Sequence, residues 1–365
     1  MLLAKTLSSY IARQFFTWFC SVYGAMLSIS FLLDYIELLR RGATKPGVTL
    51  GVLLEMAALK LPHTAQEVMP FGVLFGTMLA FWRLTRSNEL IIARAAGLSV
   101  WQFLAPAALV ALFVGILAVT VFNPIAASMQ ATYEQLEAQL LHQTGDQMAL
   151  MNSGLWLRQS EPGGGQVIIH GNRLAAPELL LGEVTLFYLN RQHQFTSRIE
   201  AKSAQLDDGT WVIHNAERWE NTDQSEPVSE MRLPTNFTTR RIEESLASPD
   251  TMSFWALPGF ISLLEKSGFS AQRHRLQFNI LLARPFLFAA MVLVAATFSL
   301  RMQRRGGVTI MIVGGIAAGF ILYFVSNIVF ALGLSAKLPV SLAAWTPTGI
   351  AMIFGVSMLL HLEDG

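Results

Sequence analysis

Residues 83–99 read RLTRSNELIIARAAGLS and separate two apolar stretches of membrane-spanning character. Three arginines predict that this insert lies on the cytoplasmic side of a membrane, because positive residues in short loops are retained there. Leu90, Ala93 and Gly97 fall on one helical stripe, which predicts a short helix. A loop that only joins two spanning helices needs no amphipathic helix. The insert is therefore predicted to be a docking site for a partner.

The composition is that of an integral membrane protein. Of the 365 residues, 53% are hydrophobic and 14% are charged, and the mean hydropathy is +0.45. Soluble domains carry about 25% charged residues. The net charge of +1 gives no indication of nucleic-acid binding. Cys20 is the single cysteine, so the chain alone can form neither a disulfide nor a thiolate metal site.

Six stretches are candidate membrane-spanning helices, judged against the roughly 20 residues that cross the hydrocarbon. The longest contains Gly315 and Gly319 in a GxxxG pattern, a weak indication of close helix approach. The first is longer than a signal-peptide core and lacks a cleavage site, so we expect it to be retained. The stretches are 15–33, 68–82 (extendable back to Leu61), 98–122, 276–300, 306–336 and 338–360.

The chain from Pro124 to about Ser253 is polar and strand-like. In residues 195–202 the odd positions are apolar or small and the even positions are polar, as in a half-buried strand. Five or more such runs, separated by glycine-rich turns, predict a small antiparallel sandwich or jelly roll. A short connecting helix is expected at 258–268, with Gly268 at its C-cap.

The predicted fold is therefore an α-helical membrane protein with six transmembrane helices (3+3) and an inserted periplasmic antiparallel β-jellyroll-like domain. Residues 1–123 would form the first three helices, including the cytoplasmic helix at 86–97. Residues 124–270 would form the β domain and the connecting helix. Residues 271–365 would form the last three helices. We expect both termini to lie in the cytoplasm.

Several arginines lie on the predicted outer side. Arg40 and Arg41 end the first helix, and Arg273, Arg275 and Arg284 enter the fourth helix from the same side. Two interpretations remain open. The arginines could snorkel to interfacial phosphates. They could instead line an opening for an anionic lipid headgroup, since the planar guanidinium binds phosphate bidentately.

Motifs for enzymatic chemistry are missing from the sequence. GxxxxGK[ST], HExxH and GxSxG do not occur, so the chain has no P-loop of its own. His63 and Glu67 are spaced i, i+4, but no third metal ligand is visible and a capped or solvated pair is favoured. Local ion pairing with the arginines at the end of the first helix accounts for Asp34 and Glu37. We predict a protein that is not an enzyme and that has no cofactor.

Four motifs, in order along the chain, resemble the LptF/LptG permease family of the lipopolysaccharide exporter, and its G-type subunit more than its F-type. RSNELIIARAAG and GLWLRQ together are the most specific part, and the resemblance covers essentially the whole chain. The motifs are LPHTAQEVMPFGVLFGTMLA, RSNELIIARAAGLS, NSGLWLRQ and LEKSGFSAQRHRLQFNILLARPFLFAAMVLVAATFSLR.

The resemblance implies a permease of an ABC transporter in the inner membrane of a Gram-negative bacterium. In that family an F-type and a G-type subunit pair, two LptB ATPase subunits bind beneath them and hydrolyse ATP, and LptC joins the assembly. Lipopolysaccharide enters from the outer leaflet of the inner membrane. It is then pushed to a periplasmic β-jellyroll bridge that leads towards the outer membrane.

The resemblance also implies roles for individual residues. The family's paired cations correspond to Arg40 and Arg41, which are expected to bind the lipid headgroup. Arg273 and Arg275 are expected to bind it as well, because of their position on the outer side. Asp34 stands where some G-type members carry a lysine, so no phosphate contact is expected there. The family's coupling helix corresponds to residues 86–97, which implies ATPase coupling by Arg86, Glu89, Leu90, Ala93, Arg94 and Gly97.

Two rival functional classes share some of these features. A mechanotransmitting permease, which drives a periplasmic partner without moving lipid, would share the coupling helix and the outer domain. It would not need Arg40 and Arg41 beside an apolar cavity. A secondary transporter would need intramembrane coupling acids and inverted repeats, and the sequence shows neither convincingly.

Overall fold

The protein is described by a computed structural model. It divides into two compact units: a helical unit of Met1–Glu137, Asp250–Leu257 and Gln272–Gly365, and a β unit of Ala138–Pro249 and Pro258–Ala271. The described residues are 2–42, 48–95, 97–140, 147–151, 154–160, 165–175, 180–190, 192, 194–207, 209–220, 225–235, 248–266, 270–300 and 307–364.

Long apolar helices dominate the helical unit. Among the described residues, six helices are long and apolar enough to span a membrane, three before and three after the β unit in the sequence, which confirms the predicted 3+3 arrangement. A π-helical segment, Ala118–Phe122, joins two helices into the third span, Val100–Glu137. In chain order the helices are α1 (Leu2–Gly42), α2 (Leu50–Arg86), α3 (Glu89–Ala95), α4 (Val100–Leu117), α5 (Asn123–Leu140), α6 (Leu257–Lys266), α7 (Gln272–Ser299), α8 (Gly307–Leu334) and α9 (Val340–Asp364).

Glycines let these helices approach closely. A Cβ at Gly76 of α2 would lie 2.7 Å from the Cα of Phe19 in α1. A Cβ at Gly115 of α4 would lie 2.5 Å from the Cα of Pro285 in α7. Membrane helices associate largely through close van der Waals contact, so such small residues determine how near two backbones can come.

The predicted GxxxG motif also lies at a helix contact. A side chain at Gly315 of α8 would meet Met78 of α2, and one at Gly319 would meet Leu74 and Phe71 of the same helix. The pattern therefore marks the face of α8 that packs against α2.

The β unit contains one antiparallel sheet whose strands follow chain order. This confirms the inserted antiparallel β domain. In the described part of the chain the order is that of a meander, whereas a complete jelly roll contains two Greek keys. The strands are β1 (Gln147–Met151), β2 (Gly154–Ser160), β3 (Gln166–Ala175), β4 (Leu180–Leu189), β5 (Phe195–Asp207), β6 (Thr210–Glu220) and β7 (Ser225–Pro234).

A line of backbone irregularities crosses the middle of this sheet. Glu183 of β4 and Asn215 of β6 have positive φ angles of 54° and 53°, and both lie beside Lys202 of β5. Along β5, alternate residues are buried in 197–201 and again in 204–206, so the alternation shifts by one residue at this line. Strand residues on both sides of this line contribute to a single core cluster, which includes Trp211.

The helical structure extends further than the sequence predicted. Residues 123–140 form α5, whereas we expected strand-like structure from Pro124. The segment is rich in Ala, Gln, Glu and Leu, which favour helix, and this preference outweighs its polar character. The predicted connecting helix is present as α6, and Gly268 lies outside the described residues.

The close approach of α1 and α2 generates a test of the fold. Gly76→Ala should destabilise the protein by about 1–3 kcal/mol, because the added methyl group meets the backbone of Phe19. Gly24→Ala is the matched control, since no atom lies within 4 Å of its added Cβ. Thermal unfolding of the purified protein in lipid nanodiscs measures both. Equal transition midpoints for the two variants would contradict the close contact.

Candidate docking helix and polar cluster

Two residues with positive φ delimit the short helix α3. α2 ends at Arg86, and the Ser87 N–H donates to the Arg83 carbonyl at 2.9 Å. Asn88 then has φ 61°, and Gly97 has φ 84° after the helix. Both conformations interrupt a helix, and glycine adopts the second without strain. The helix therefore spans Glu89–Ala95, shorter than the predicted 86–97.

The predicted stripe of α3 faces the protein's own core. Leu90 is 6% exposed and Ala93 is 9% exposed, and Leu90 belongs to the main apolar cluster of the helical unit. Gly97 is exposed but lies beyond the helix. Ile92 is 67% exposed, on another face of the helix. Leu90 and Ala93 therefore pack α3 against the protein's own core, while Ile92 is exposed. ATPase coupling by Leu90 and Ala93 stays a prediction.

Charged residues surround the exposed face of α3. Arg83 and Arg86 are exposed, and the Arg86 guanidinium lies 5.4 Å from the centroid of the Trp82 ring. Glu89 is half-buried, and its carboxylate accepts a hydrogen bond from the Ser87 hydroxyl at 2.8 Å. Glu89 thus fixes the turn before α3. The backbone of Arg94 lies in α3, but its side chain lies outside the described part.

The arginines at the end of α1 differ in their pairing. Arg40 pairs with Glu37 at 2.9 Å, one helical turn away, and 77% of its side chain is exposed. Arg41 pairs with Glu137 of α5 at 2.7 Å and is 40% exposed. The contact of Arg41 joins two helices, whereas the pair of Arg40 is local. Arg40 is therefore the more accessible cation.

Asp34 is engaged elsewhere. Its carboxylate pairs with Lys60 of α2 at 2.6 Å and accepts a hydrogen bond from the Thr64 hydroxyl at 3.1 Å. We expected Asp34 to pair with the arginines at the end of α1, and this was wrong for Asp34. One turn of helix separates Glu37 from Arg40, whereas Asp34 is nearer to a lysine on the adjacent helix. No spacing rule in the sequence indicates that pair.

Arg284 does not lie with Arg273 and Arg275. The latter two are exposed in the first turns of α7, while Arg284 lies further along the helix and is half-buried. Its Nη1 donates to Gln66 Oε1 at 2.7 Å. The amide of Asn123 donates to the same oxygen at 3.3 Å. The sequence analysis missed Gln66 and Asn123, because single amides in apolar helices form no recognisable pattern.

His63 belongs to the same end of the helical unit. Its Nε2 lies 3.9 Å from Asp250 Oδ1, and the Gln277 amide donates to that oxygen at 2.9 Å. Within the described residues, no group of three His, Cys, Asp or Glu side chains could hold a metal ion. We call this set the polar cluster: Asp34, Lys60, His63, Thr64, Gln66, Asn123, Asp250, Gln277 and Arg284.

An apolar cavity of about 300 Å³ lies among α2, α7, α8 and α9. Its walls carry no charged side chain, so it suits hydrocarbon rather than an ion. The lining residues are Leu74, Met291, Val294, Phe298, Gly314, Ala317, Ala318, Ile321, Leu322, Val325, Ile350, Ala351 and Phe354.

Comparison with known proteins agrees with this architecture. Residues 9–361 match the family described as "Lipopolysaccharide export system permease LptF/LptG". The lipopolysaccharide export system permease protein LptG of Escherichia coli K12 is 22% identical over 365 residues, which cover 97% of this chain and 98% of that protein. LptG of Haemophilus influenzae is 20% identical over 369 residues, which cover 99% of each chain.

The family predicted from the four motifs is thereby confirmed, and both relatives are G-type subunits by name. The match extends across both halves of the helical unit and across the β unit between them. The chain therefore belongs to the LptF/LptG family of lipopolysaccharide export system permeases.

Proposed function

We propose that the chain is one permease subunit of an ABC transporter that extracts lipopolysaccharide from the outer leaflet of the inner membrane. It passes the lipid to a periplasmic bridge that leads towards the outer membrane. A dimer of the LptB ATPase supplies the energy, an F-type paralogue completes the lipid path, and LptC joins the assembly. Family membership and the similarity to two LptG proteins support this proposal.

The proposed orientation places α3 and both termini in the cytoplasm and the β domain in the periplasm. Six spanning helices return the chain to the side on which it began. Arg83 and Arg86 flank α3 and are exposed, as expected of positive residues retained on the cytoplasmic side. Arg40 and Arg41 lie at the other end of α1 and face the periplasmic leaflet in this orientation.

The exposed face of α3 is the structural feature that most strongly supports binding of an ATPase. Ile92 is a large apolar side chain with 67% of its surface exposed, outside the segments that could span a membrane. Apolar anchors surrounded by charged residues are typical of protein interfaces. Arg86 at the end of α2 is exposed and Glu89 at the start of α3 is half-buried, and in the proposed function both contact the ATPase together with Ile92.

The seating of α3 makes it an effective lever. Leu90 lies in the same apolar cluster as Leu84 of α2 and Phe103 of α4. The capping box of Ser99 and Gln102 then starts α4 directly after the turn. Because the buried face of α3 packs against α2 and α4, a force that the ATPase applies to Ile92 is transmitted to these two helices. A flexible loop in the same place would bend instead.

The cations at the opposite end suit an anionic lipid. Arg40, Arg273 and Arg275 are exposed there, and Arg41 is partly exposed beside Glu137. Guanidinium groups bind phosphate oxygens bidentately, so they match a phosphorylated headgroup. Asp34 is neutralised by Lys60, so this carboxylate does not repel the phosphate.

If the exposed face of α3 binds the ATPase, a substitution there should weaken ATPase binding without preventing the chain from folding. Ile92→Glu should weaken ATPase binding roughly 30-fold, the loss that corresponds to about 2 kcal/mol for an interface anchor. The protein should still fold, because the side chain is exposed. Phe195→Glu in β5 is the control, since Phe195 is 50% exposed and lies outside the docking face. Co-purification of the ATPase measures both, and an unchanged yield with Ile92→Glu would contradict the docking face.

The exposed cations predict a direct contact with the transported lipid. A photoreactive amino acid at position 40 should form an adduct with lipopolysaccharide in cell membranes, because that side chain is 77% exposed. The same probe at position 109 is the control, since Leu109 is 64% exposed on α4. Mass spectrometry of the purified adducts identifies the lipid.

The same experiment distinguishes the rival function. A mechanotransmitting permease would form no lipopolysaccharide adduct at position 40, or equal amounts at positions 40 and 109. Either result would favour that rival over lipid transport.

A further inference from the structure

The π-helical segment between α4 and α5 has a cause in the sequence. In an α-helix the carbonyl of Thr120 would accept a hydrogen bond from the N–H of residue 124, but that residue is a proline. The proline ring would also press against this carbonyl. The backbone widens instead, and Ala118–Phe122 form the π segment. The Thr120 carbonyl is thereby left for a donor outside the helix.

That donor comes from the stretch that returns to α6. The indole Nε1 of Trp255 donates to the Thr120 carbonyl at 3.0 Å. The neighbouring Phe254 N–H donates to Asn123 Oδ1 at 2.7 Å. Two successive residues are therefore bound to the point where the π segment ends and α5 begins. We call residues 250–257 the strap.

The strap is also fixed to α7. The Phe254 ring stacks on Phe278 with 5.3 Å between the ring centroids. Met252, Phe254 and Leu257 pack in a separate apolar cluster with Val119 and Leu281. The strap thus makes apolar contacts with α7 and the π segment, and hydrogen bonds with the π segment and the first residue of α5.

Asn123 links the strap to the polar cluster. It is 5% exposed, its oxygen holds Phe254, and its amide donates to Gln66, which also accepts from Arg284. A shift of α2 or α7 therefore changes the position of the group that holds the strap. Leu257 is the last residue of the strap and the first residue of α6, and the β unit resumes in the sequence at Pro258.

We propose that the strap is the joint through which movement of the spanning helices reaches α6 and the β domain. Trp255 and Asn123 are its positioning residues, and Pro124 is the residue that makes the Thr120 carbonyl available. This inference rests on the proposed function, since it supplies a mechanical link between ATP-driven helix movement and the domain that receives lipid.

The hydrogen bond from Trp255 to Thr120 can be perturbed at its donor or at its acceptor. Trp255→Phe keeps an aromatic ring beside Phe254 but removes the N–H, together with part of the larger indole ring. Pro124→Ala restores an N–H at position 124 and gives the Thr120 carbonyl a partner within the helix. Trp255→Phe deletes this contact and Pro124→Ala weakens it by competition, so their effects should not add fully in the double variant. Trp345→Phe is the control, because Trp345 is a 38% exposed tryptophan of α9 outside the strap.

The experiment uses the complete transporter, assembled from full-length chains in lipid nanodiscs. Hydrogen exchange is measured for the strap amides of Phe254, Ala256 and Leu257, the last two of which donate to the Ser253 carbonyl. Lipopolysaccharide released and ATP hydrolysed are measured on the same samples. We expect each variant to speed strap exchange roughly fivefold, the ratio for one lost hydrogen bond. Lipid released per ATP should fall roughly three- to tenfold.

Each outcome decides the proposal. Unchanged strap exchange, or additive effects in the double variant, would overturn the joint. Faster exchange with unchanged lipid release per ATP would also contradict the proposal, because the strap would then hold the structure together without transmitting movement. A wild-type complex that hydrolyses ATP but releases no lipid would overturn the proposed function instead. The joint would then be judged by the difference in strap exchange between nucleotide-free and ATP-bound complexes, which both variants should abolish.

Discussion

The helical unit depends on one buried amide oxygen. Gln66 Oε1 accepts hydrogen bonds from Arg284 at 2.7 Å and from Asn123 at 3.3 Å, so three spanning helices converge on it. In hydrocarbon an unsatisfied polar group costs several kcal/mol, and a cation costs more unless it is stabilised locally. The glycine contacts allow the helices to approach closely. The Gln66 oxygen determines that Asn123 and Arg284 lie next to Gln66.

Different interactions determine the structure at the two ends of the helical unit. At the α3 end, Leu90 is buried while Ile92 is exposed, so a seven-residue helix has one face for the protein and one for a partner. At the other end, charges are paired between helices, as in Asp34 with Lys60 and Arg41 with Glu137. In the proposed function, the first end receives force and the second receives an anionic lipid.

Hydropathy predicted the six spans because a membrane imposes a length and an apolar composition that a single sequence displays directly. A short helix at the position of α3 was also predicted, from the helical spacing of Leu90, Ala93 and Gly97, although Gly97 lies beyond its end. Its buried face was not predicted. Residues 90–93, LIIA, place apolar side chains on more than one face of the helix, and periodicity does not indicate which face packs against the core.

The cluster partners could not be read from the sequence either. Lys60 and Asp34 are 26 residues apart, and Gln66 and Arg284 are 218 residues apart, so only the folded helices bring them together. The π segment was in principle visible in Pro124, which removes the N–H that Thr120 needs. We had assigned that proline to the start of the β domain, and so its effect on the helix was missed.

In the proposed function, an ATPase transmits force to this chain through the exposed face of α3. Electron cryo-microscopy of the complete transporter, isolated with its partners, would locate the ATPase on this chain. We expect Ile92 to contact the ATPase subunit while Leu90 remains in the chain's own apolar core. An ATPase bound elsewhere, with Ile92 exposed to solvent, would rule out α3 as the docking helix.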